Sequence, residues 1–299
     1  MPASVARAIG LIDQTAILAW YEAHGRSLAF RRTSDPYAVL VSEVIAQQTQ
    51  AARAAERWER FLDRFPTVEA LAAATPADVL REWRGLGYDR RGLNLWRAAG
   101  AIVARHGGRV PADVEALDAL PGVGPYTARA VAAIAFGIPV GAVDTNVRRV
   151  LGRSLVGDPG AWTARELQAV ADASVPIDWP AAWTHALMDL GATVCVPRRP
   201  DCAACPIASS CMFHAAAGDV RVTATACRPR RETTPFPATN RWLRGRIMDR
   251  LRDAPEGAWV AIVGPIGEHD DAAVVRALGG LAGDGLIERR ERTARLRVA

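Results

Sequence analysis

Four closely spaced cysteines near the two-thirds point of the sequence constrain this chain more than any other feature. They are Cys195, Cys202, Cys205 and Cys211, separated by six, two and five residues. Zinc and a [4Fe–4S] cluster both accept four cysteine thiolates, so the number of cysteines does not choose between them. Structural zinc sites usually consist of two short-spaced pairs, whereas here only the middle pair is close in sequence. The spacing favours an iron–sulfur cluster, with zinc as the alternative.

A secreted protein with disulfide bonds would also explain a cysteine-rich segment. The sequence does not favour it, because the N-terminus shows no basic segment followed by an apolar core and a small-residue cleavage site. The fifth cysteine, Cys227, lies apart in a segment rich in proline, arginine and threonine. We therefore interpret the four clustered cysteines as metal ligands and Cys227 as an incidental thiol.

Composition limits both location and chemistry. The chain has 299 residues, half of them apolar, which suffices for two domains with buried cores. The longest apolar run, residues 128–143, is interrupted by Arg129 and Pro139, so we expect no membrane span and a cytoplasmic location. The net charge of +5 permits a polyanionic partner. All 37 residues counted as Lys+Arg are arginines, so no lysine can form a Schiff base.

Helical periodicity runs through most of the chain. Apolar residues recur at intervals of three and four, and Gly, Pro and Asp separate the segments. The predicted helices are Pro36–Phe65, Pro76–Trp83, Leu93–His106, Tyr126–Phe136, Thr145–Leu155, Thr163–Ala173, Ala181–Gly191, Arg241–Arg252 and Asp271–Ala282. A β-hairpin is predicted for Gly285–Arg290 and Arg295–Val298, an order that resembles a winged helix. The prediction is a mainly α fold with a small C-terminal α/β module.

A Pro-Gly-x-Gly turn, Pro121–Gly124, separates two predicted helices. Its glycines leave amide N–H groups uncovered at the start of the second helix, where these donors and the helix dipole favour a phosphate. A helix-hairpin-helix holds a DNA backbone in this way without reading its sequence. A glycine-rich connector between two packed helices is the alternative.

Two acidic residues are candidates for catalysis. Asp144 precedes a predicted helix, where an aspartate is most often an N-cap, but the same position also suits stabilisation of a cation on a sugar. Glu43 lies inside a predicted helix among apolar residues, which raises the pKa of a carboxyl group and suits a general acid. Gln47 and Gln50 follow four and seven residues later and are expected on the same side of that helix. A surface glutamate is the alternative for Glu43.

These motifs, in this order and followed by the four cysteines, resemble the iron–sulfur helix-hairpin-helix DNA glycosylases, most closely the MutY adenine glycosylases, over roughly residues 20–215. The resemblance implies a two-lobed glycosylase fold and a [4Fe–4S] cluster. It also implies that Glu43 protonates the adenine leaving group and that Asp144 stabilises the oxocarbenium-like sugar. Tyr126 and Asn146 match the residues that support these carboxylates.

The resemblance assigns DNA contacts as well. The base pocket and the wedge that enters the base stack are expected at Arg31, Gln47, Gln48, Thr49, Tyr88 and His185. The DNA backbone is expected at Gly122, Val123, Gly124 and Thr127. The implied partner is double-stranded DNA with a mispaired or damaged base, bound by a nucleoid-associated monomer of bacterial type.

Four residues depart from the family pattern. Phe30 stands where tryptophan is common, Ala46 replaces a larger apolar residue, and Asp89 replaces the second tyrosine of Gly-Tyr-Tyr. His185 stands where many family members have glutamate or glutamine. Each departure touches the pocket or the wedge, and so bears on which base is excised. The C-terminal domain that reads 8-oxoguanine in longer relatives has no counterpart in this sequence.

The sequence thus predicts a domain arrangement and an activity. Residues 1–27 and 120–218 form the iron–sulfur cluster lobe, residues 28–119 a helical barrel lobe leading into the helix-hairpin-helix at about 114–131, residues 219–238 a linker and residues 239–299 a winged-helix-like domain. The expected activity is monofunctional hydrolysis of the N-glycosidic bond of adenine opposite 8-oxoguanine or guanine. In lysine-dependent relatives a lysine attacks the sugar from the position that Tyr126 occupies here, and this chain has no lysine. The alternatives are a mismatch thymine or other modified-base glycosylase of the same superfamily, and a DNA-binding iron–sulfur regulator without catalysis.

Overall fold

A computed structural model describes residues 12–217 and 234–298, so Cys227 and most of the predicted linker lie outside the described residues. The helices are α1 Gln14–His24, α2 Pro36–Ala46, α3 Ala51–Arg64, α4 Val68–Ala73, α5 Pro76–Glu82, α6 Arg90–His106, α7 Val114–Asp118, α8 Pro125–Phe136, α9 Thr145–Val156, α10 Ala164–Ala173, α11 Pro180–Asp189, α12 Met212–Ala217, α13 Asn240–Asp253 and α14 Asp271–Gly283. The strands are β1 Val260–Ala261, β2 Ile287–Arg290 and β3 Thr293–Leu296. The mainly α fold is confirmed. No described helix is long and apolar enough to cross a membrane.

Local sequence signals begin and end these helices. Thr75 and Asp78 form a capping box at the start of α5, and Thr163 and Glu166 form another at the start of α10. Proline occupies the first turn of α5, α8 and α11, where its missing N–H costs nothing. Gly137 ends α8 in the left-handed conformation that glycine adopts without strain. These signals fix the ends of the four helices.

One predicted helix is interrupted. The periodicity of Pro36–Phe65 predicts a continuous helix, but the structure ends α2 and begins α3 on either side of a short turn. Gln48 has a φ of 56° in this turn, which a helix cannot contain, and Gln50 is extended. The expectation that Gln47 and Gln50 lie on the same side of one helix as Glu43 is therefore wrong.

The contacts divide the chain into two compact units. The first contains Pro111–Ala119 and the described parts of Met1–Glu43 and Val123–Cys227, and the second contains Val44–Val110, Leu120–Gly122 and the described part of Arg228–Ala299. The core of the first unit is built from buried apolar residues of α1, α9, α10 and α11, with Trp183 among its largest side chains. The domain boundaries proposed from the sequence stay a prediction.

The core of the second unit includes the C-terminal module. Ala77, Leu80 and Leu93, from α5 and α6, belong to one buried cluster with Ile247 of α13 and Leu278 of α14. The module has an antiparallel sheet in the order β1-β3-β2. The predicted hairpin is confirmed, with its second strand two residues earlier than predicted. Strand β1 was not predicted, because two residues are too few to give an alternating pattern.

Candidate active site

The carboxyl group of Glu43 is buried in the first unit. Only 9% of the residue is exposed, and the hydroxyl of Tyr126, on α8, donates a hydrogen bond to Oε2 at 3.0 Å. Burial raises the pKa of Glu43 to about 7; the charge of Asp144 also raises it, while the Tyr126 hydrogen bond and the charge of Arg31 lower it. A carboxyl group with this pKa can give a proton to a leaving group at neutral pH. The surface-glutamate alternative is wrong.

Asp144 is both a helix cap and part of the candidate site. Its Oδ1 accepts a hydrogen bond from the backbone N–H of Val147 at 2.7 Å, as an N-cap does. Its Oδ2 accepts a second hydrogen bond from Nδ2 of Asn146 at 3.0 Å. These bonds fix the orientation of the carboxylate, and its charge acts on Glu43, so the two acids predicted from separate motifs are neighbours.

Arg149 connects this carboxylate to the first cysteine. Its guanidinium donates to Oδ1 of Asn146 at 2.7 Å, to the carbonyl of Gly191 at 2.6 Å and to the carbonyl of Cys195 at 2.6 Å. Gly191 lies in a π-helical turn, Leu190–Val194, and a Cβ there would lie 2.6 Å from Cβ of Asn146. Single π-turns of this kind occur often at functional sites. Arg149 was not predicted from the sequence, because Gly191 and Cys195 come from a segment more than 40 residues away.

A buried ion pair fixes Arg31. Asp189, at the end of α11, is fully buried and accepts hydrogen bonds from Nη1 and Nη2 of Arg31 at 2.6 and 2.7 Å. The backbone N–H and Nε of Arg26 bind the same carboxylate at 2.8 and 2.7 Å. These hydrogen bonds hold the pKa of Asp189 below its usual range despite burial. Asp189 was not predicted from the sequence, although an aspartate on the apolar side of α11 is a signal that points to such a role.

His185 lies on the same helix and is uncharged. Its ring centroid is 6.3 Å from that of Tyr21, and the guanidinium of Arg31 lies over the Tyr21 ring, 5.9 Å from its centroid. Burial, followed by the positive charge of Arg31, lowers the pKa of His185 to about 3. The imidazole therefore presents one donor and one acceptor at neutral pH. The structure thus groups the predicted residues Arg31 and His185 with Glu43, whose pKa responds to Arg31.

The second unit holds the predicted wedge residues in two turns. Gln48 and Tyr88 have φ values of 56° and 48°, which non-glycine residues adopt at a cost of about 1–3 kcal/mol each. Thr49 closes the first turn by donating from Oγ1 to the carbonyl of Gln47 at 3.3 Å. Arg91 joins the turns, since it donates to the carbonyls of Gln47 and, at 3.1 and 3.3 Å, of Leu86 and Gly87. Arg91 was not predicted from the sequence.

The predicted hairpin residues offer few side chains that could contact DNA. Gly122 has a φ of 77°, and a Cβ at this position would lie 2.5 Å from Cβ of Asn94. Val123 and Thr127 are buried at 7% and 2% exposure. Gly124 precedes α8 without any side-chain cap among the described residues, so the first amide groups of α8 lack that partner. Only backbone groups of the predicted hairpin residues are suited to bind a phosphate.

The four predicted ligands line one cavity of about 300 Å³, a volume that includes open solvent. No disulfide joins these cysteines. The buried Arg153 donates to Sγ of Cys195 at 3.5 Å and to the carbonyls of Val196 and Pro197 at 2.9 and 2.7 Å, so a positive charge and an ordered loop accompany the thiols. No group of three metal-binding side chains in the described ranges surrounds a single point. A [4Fe–4S] cluster takes one thiolate per iron, and the four thiols that line this cavity match that donor set.

Comparison with known proteins identifies the family of this chain. Residues 41–177 match the HhH-GPD superfamily of base excision DNA repair proteins. The chain is similar to an adenine DNA glycosylase of Mycolicibacterium smegmatis, with 39% identity over 93% of both chains, and to one of Mycobacterium tuberculosis strain H37Rv, with 41% identity over 93% of this chain and 91% of the relative. Alignments over 93% of the chain must include most of the C-terminal module.

The fold is also that of a solved glycosylase. A structure of a thermostable thymine-DNA glycosylase superposes with a TM-score of 0.64 and 28% identity, covering 68% of this chain and 94% of that one. The sequence relatives and the structural neighbour are thus all DNA glycosylases. The chain belongs to the HhH-GPD superfamily of base excision DNA repair proteins, within the family of the adenine DNA glycosylases.

Proposed function

We propose that this DNA glycosylase excises adenine mispaired with 8-oxoguanine or guanine and leaves an abasic site. The observation that carries the proposal is the pair Glu43–Tyr126 beside the pair Asp144–Asn146, which combines a proton donor with a fixed carboxylate. Both mycobacterial relatives are named adenine DNA glycosylases, which supports adenine as the excised base. The substrate would be double-stranded DNA, bound by a cytoplasmic, nucleoid-associated monomer.

The reaction follows from the chemistry of these groups. A base inside a duplex cannot be reached, so the nucleotide is turned out of the helix at a cost of a few kcal/mol. Glu43 gives its proton to a ring nitrogen of adenine, and the bond between the sugar and the base breaks with its electron pair on the now neutral base. The carboxylate of Asp144 stabilises the positive sugar. Water then adds to the sugar and releases a proton, which completes hydrolysis.

The neighbours of these two acids would serve as positioning groups. Tyr126 holds the Glu43 carboxyl, and Asn146 holds the carboxylate of Asp144. His185 and Arg31 would line the base pocket, where the neutral imidazole offers a donor and an acceptor to the base edge. Gln47, Gln48, Thr49 and Tyr88 would enter the stack, and the backbone of Gly122, Val123, Gly124 and Thr127 would hold a phosphate.

The enzyme would be monofunctional. Lyase chemistry of the Schiff-base type needs an amine, and the chain contains no lysine. The hydroxyl at Tyr126 is committed to Glu43 rather than aimed as a nucleophile. Borohydride should trap no covalent complex with a labelled duplex under conditions in which the enzyme excises the base in a single turnover. Trapping of as much complex as base excised would contradict a monofunctional mechanism.

Cys195, Cys202, Cys205 and Cys211 would hold a [4Fe–4S] cluster, which supplies structural crosslinking of this segment when it is bound. The fit rests on four thiols around one cavity and on the guanidinium of Arg153 next to Cys195. Iron and acid-labile sulfide in about equal amounts in the purified protein would support this proposal, whereas one zinc ion per chain would contradict it.

Excision of thymine from a mismatch is the second candidate. It is favoured by the structural similarity to a thymine-DNA glycosylase, and Tyr126 and Asp144 would serve equally well there. A single-turnover assay on duplexes with adenine opposite 8-oxoguanine, guanine or thymine, and with thymine opposite guanine, separates the candidates once alkali reveals abasic sites. Cleavage only of adenine opposite 8-oxoguanine or guanine supports the proposal, and cleavage of thymine with adenine untouched replaces it.

A further inference from the structure

Tyr88 projects from the turn that precedes α6. Its side chain is among the exposed large hydrophobic groups, with 48% of the residue exposed, and its φ of 48° is a strained conformation for tyrosine. Apolar burial cannot explain a strained, exposed aromatic residue, and strain of this kind is typical of functional positions. The groups that contact the Tyr88 ring therefore determine its position.

The C-terminal module supplies one of these contacts. Arg241, in the first turn of α13, places its guanidinium 4.3 Å from the centroid of the Tyr88 ring. Arg241 is exposed, and no carboxylate of the described residues forms an ion pair with it. A cation at a helix N-terminus is disfavoured by the helix dipole, so Arg241 does not stabilise its own helix. Its interaction partner is the tyrosine ring.

A second contact fixes the same turn from the other end of α13. Nη2 of Arg252 lies 2.5 Å from Oδ1 of Asp89, with side chains 4% and 14% exposed, and Nε donates to the carbonyl of Leu80 at 2.8 Å. Asp89 is the residue that replaces the usual second tyrosine of the family. The structure explains this departure, because an aspartate here binds the module. Helix α13 therefore holds both Tyr88 and Asp89.

We propose that Arg241 is a positioning residue for Tyr88, so that the C-terminal module takes part in recognising the mispair. The proposal rests on the proposed function in one respect, the role of Tyr88 as a wedge. The guanidinium lies over one face of the ring and limits its rotation, while Arg91 lies 5.6 Å from the same ring centroid. A ring held before DNA binds loses less conformational freedom on entering the stack.

A direct contact between Arg241 and a phosphate is the competing explanation. The two differ in how Arg241 depends on Tyr88. A positioning residue loses its effect when the ring is absent, whereas a phosphate contact does not. Loss of a phosphate contact also weakens binding to the same extent for all DNA sequences. It reduces the slope of log affinity against log salt concentration by about one.

The test is a double-mutant cycle with Arg241→Ala, Tyr88→Ala and the double variant, and with Arg250→Ala as the control. Arg250 is an exposed arginine of the same helix, so its loss changes the charge equally. Two readouts are used: single-turnover excision of adenine opposite 8-oxoguanine, and the fluorescence of 2-aminopurine next to the mispair, which reports unstacking. Thermal unfolding checks that each variant folds.

We expect Arg241→Ala to lower the excision rate and the fluorescence gain by about two- to fivefold, the size of a cation–π contact, with no further loss in the Tyr88→Ala background. Arg250→Ala should match the wild type. An equal loss in both backgrounds, or none in either, overturns the proposal. If the wild type excises no adenine, the proposed function fails, and the fluorescence cycle on the same duplexes still decides whether Arg241 acts through Tyr88.

Discussion

At the scale of single residues, the environment of Glu43 determines the chemistry. Its neighbours Tyr126, Asp144 and Arg31 come from three other parts of the first unit, and together with burial they place its pKa at about 7. The acidic residues themselves are predictable from sequence, because each sits in a short motif with a local physical signature. Asp189 is not predictable in the same way, since its role depends on two arginines more than 150 residues away.

The raised pKa of Glu43 sets the pH dependence of excision. The acid form is the active one, so the single-turnover rate should be constant at low pH and fall about tenfold per pH unit above about 7. Tyr126→Phe removes a hydrogen bond that lowers this pKa, so its falling limb should move to higher pH. Rate profiles of both proteins test this. A limb near the usual pKa of glutamate would contradict the raised pKa of Glu43, and the same limb in both proteins would show that another group titrates.

Removal of Asp189 should be costly. Asp189→Ala leaves the guanidinium of Arg31, with 8% of its side chain exposed, buried without its partner, a change that typically costs about 3–5 kcal/mol. Asp253→Ala is the matched control, because the pair Arg84–Asp253 is 44% and 67% exposed and should contribute less than about 1 kcal/mol. Urea unfolding measures both. Equal destabilisation by the two variants would mean that the buried pair contributes no more to the free energy of unfolding than the exposed pair.

At the scale of elements, the positions of the helices follow closely from periodicity and capping residues. The turns that interrupt or end the helices at two places do not. The turn between α2 and α3 depends on a left-handed Gln48, and glutamine carries no sequence signal for that conformation. The π-turn after α11 is likewise silent in the sequence, although Gly191 permits its close approach to Asn146. The π-turn adjoins Asn146 of the candidate site.

Arg149 tests whether the π-turn supports catalysis. Arg149→Ala removes hydrogen bonds to Asn146, Gly191 and Cys195, so the carboxylate of Asp144 loses the support that reaches it through Asn146. We expect a fall in the single-turnover rate of about 10-fold or more, as for a charge-assisted hydrogen bond of about 1.5–3 kcal/mol. Arg148→Ala, which changes the neighbouring arginine, is the control. Equal rates for the two variants would remove Arg149 from the catalytic support.

At the scale of the whole molecule, the composition of the C-terminal module is predictable but its packing is not. Its two helices and hairpin have clear local patterns. Its core, however, includes Leu80 and Leu93 from segments more than 140 residues earlier, and no local pattern indicates which surface a module will cover. The ion pair of Arg252 with Asp89 is a further contact of this kind.

The shared core predicts cooperative unfolding of the second unit. Ile247, fully buried in α13, belongs to the cluster with Leu80 and Leu93, so Ile247→Ala should destabilise the whole second unit by about 2–5 kcal/mol. Hydrogen exchange should show equal loss of protection in α5, α6 and α13. Loss confined to residues 239–298 would show that the module is an independent domain, as the sequence suggested.

The most direct test of the account is single-turnover excision of adenine opposite 8-oxoguanine by the wild type and Glu43→Gln at pH 6. Glutamine keeps the shape of the side chain but has no proton to give, so the rate should fall by about 10²- to 10⁴-fold while the Kd for the duplex stays the same. Glu59→Gln, at an exposed position of α3, should keep the wild-type rate. Retention of the wild-type rate by Glu43→Gln would contradict the assignment of Glu43 as the general acid and with it the proposed mechanism.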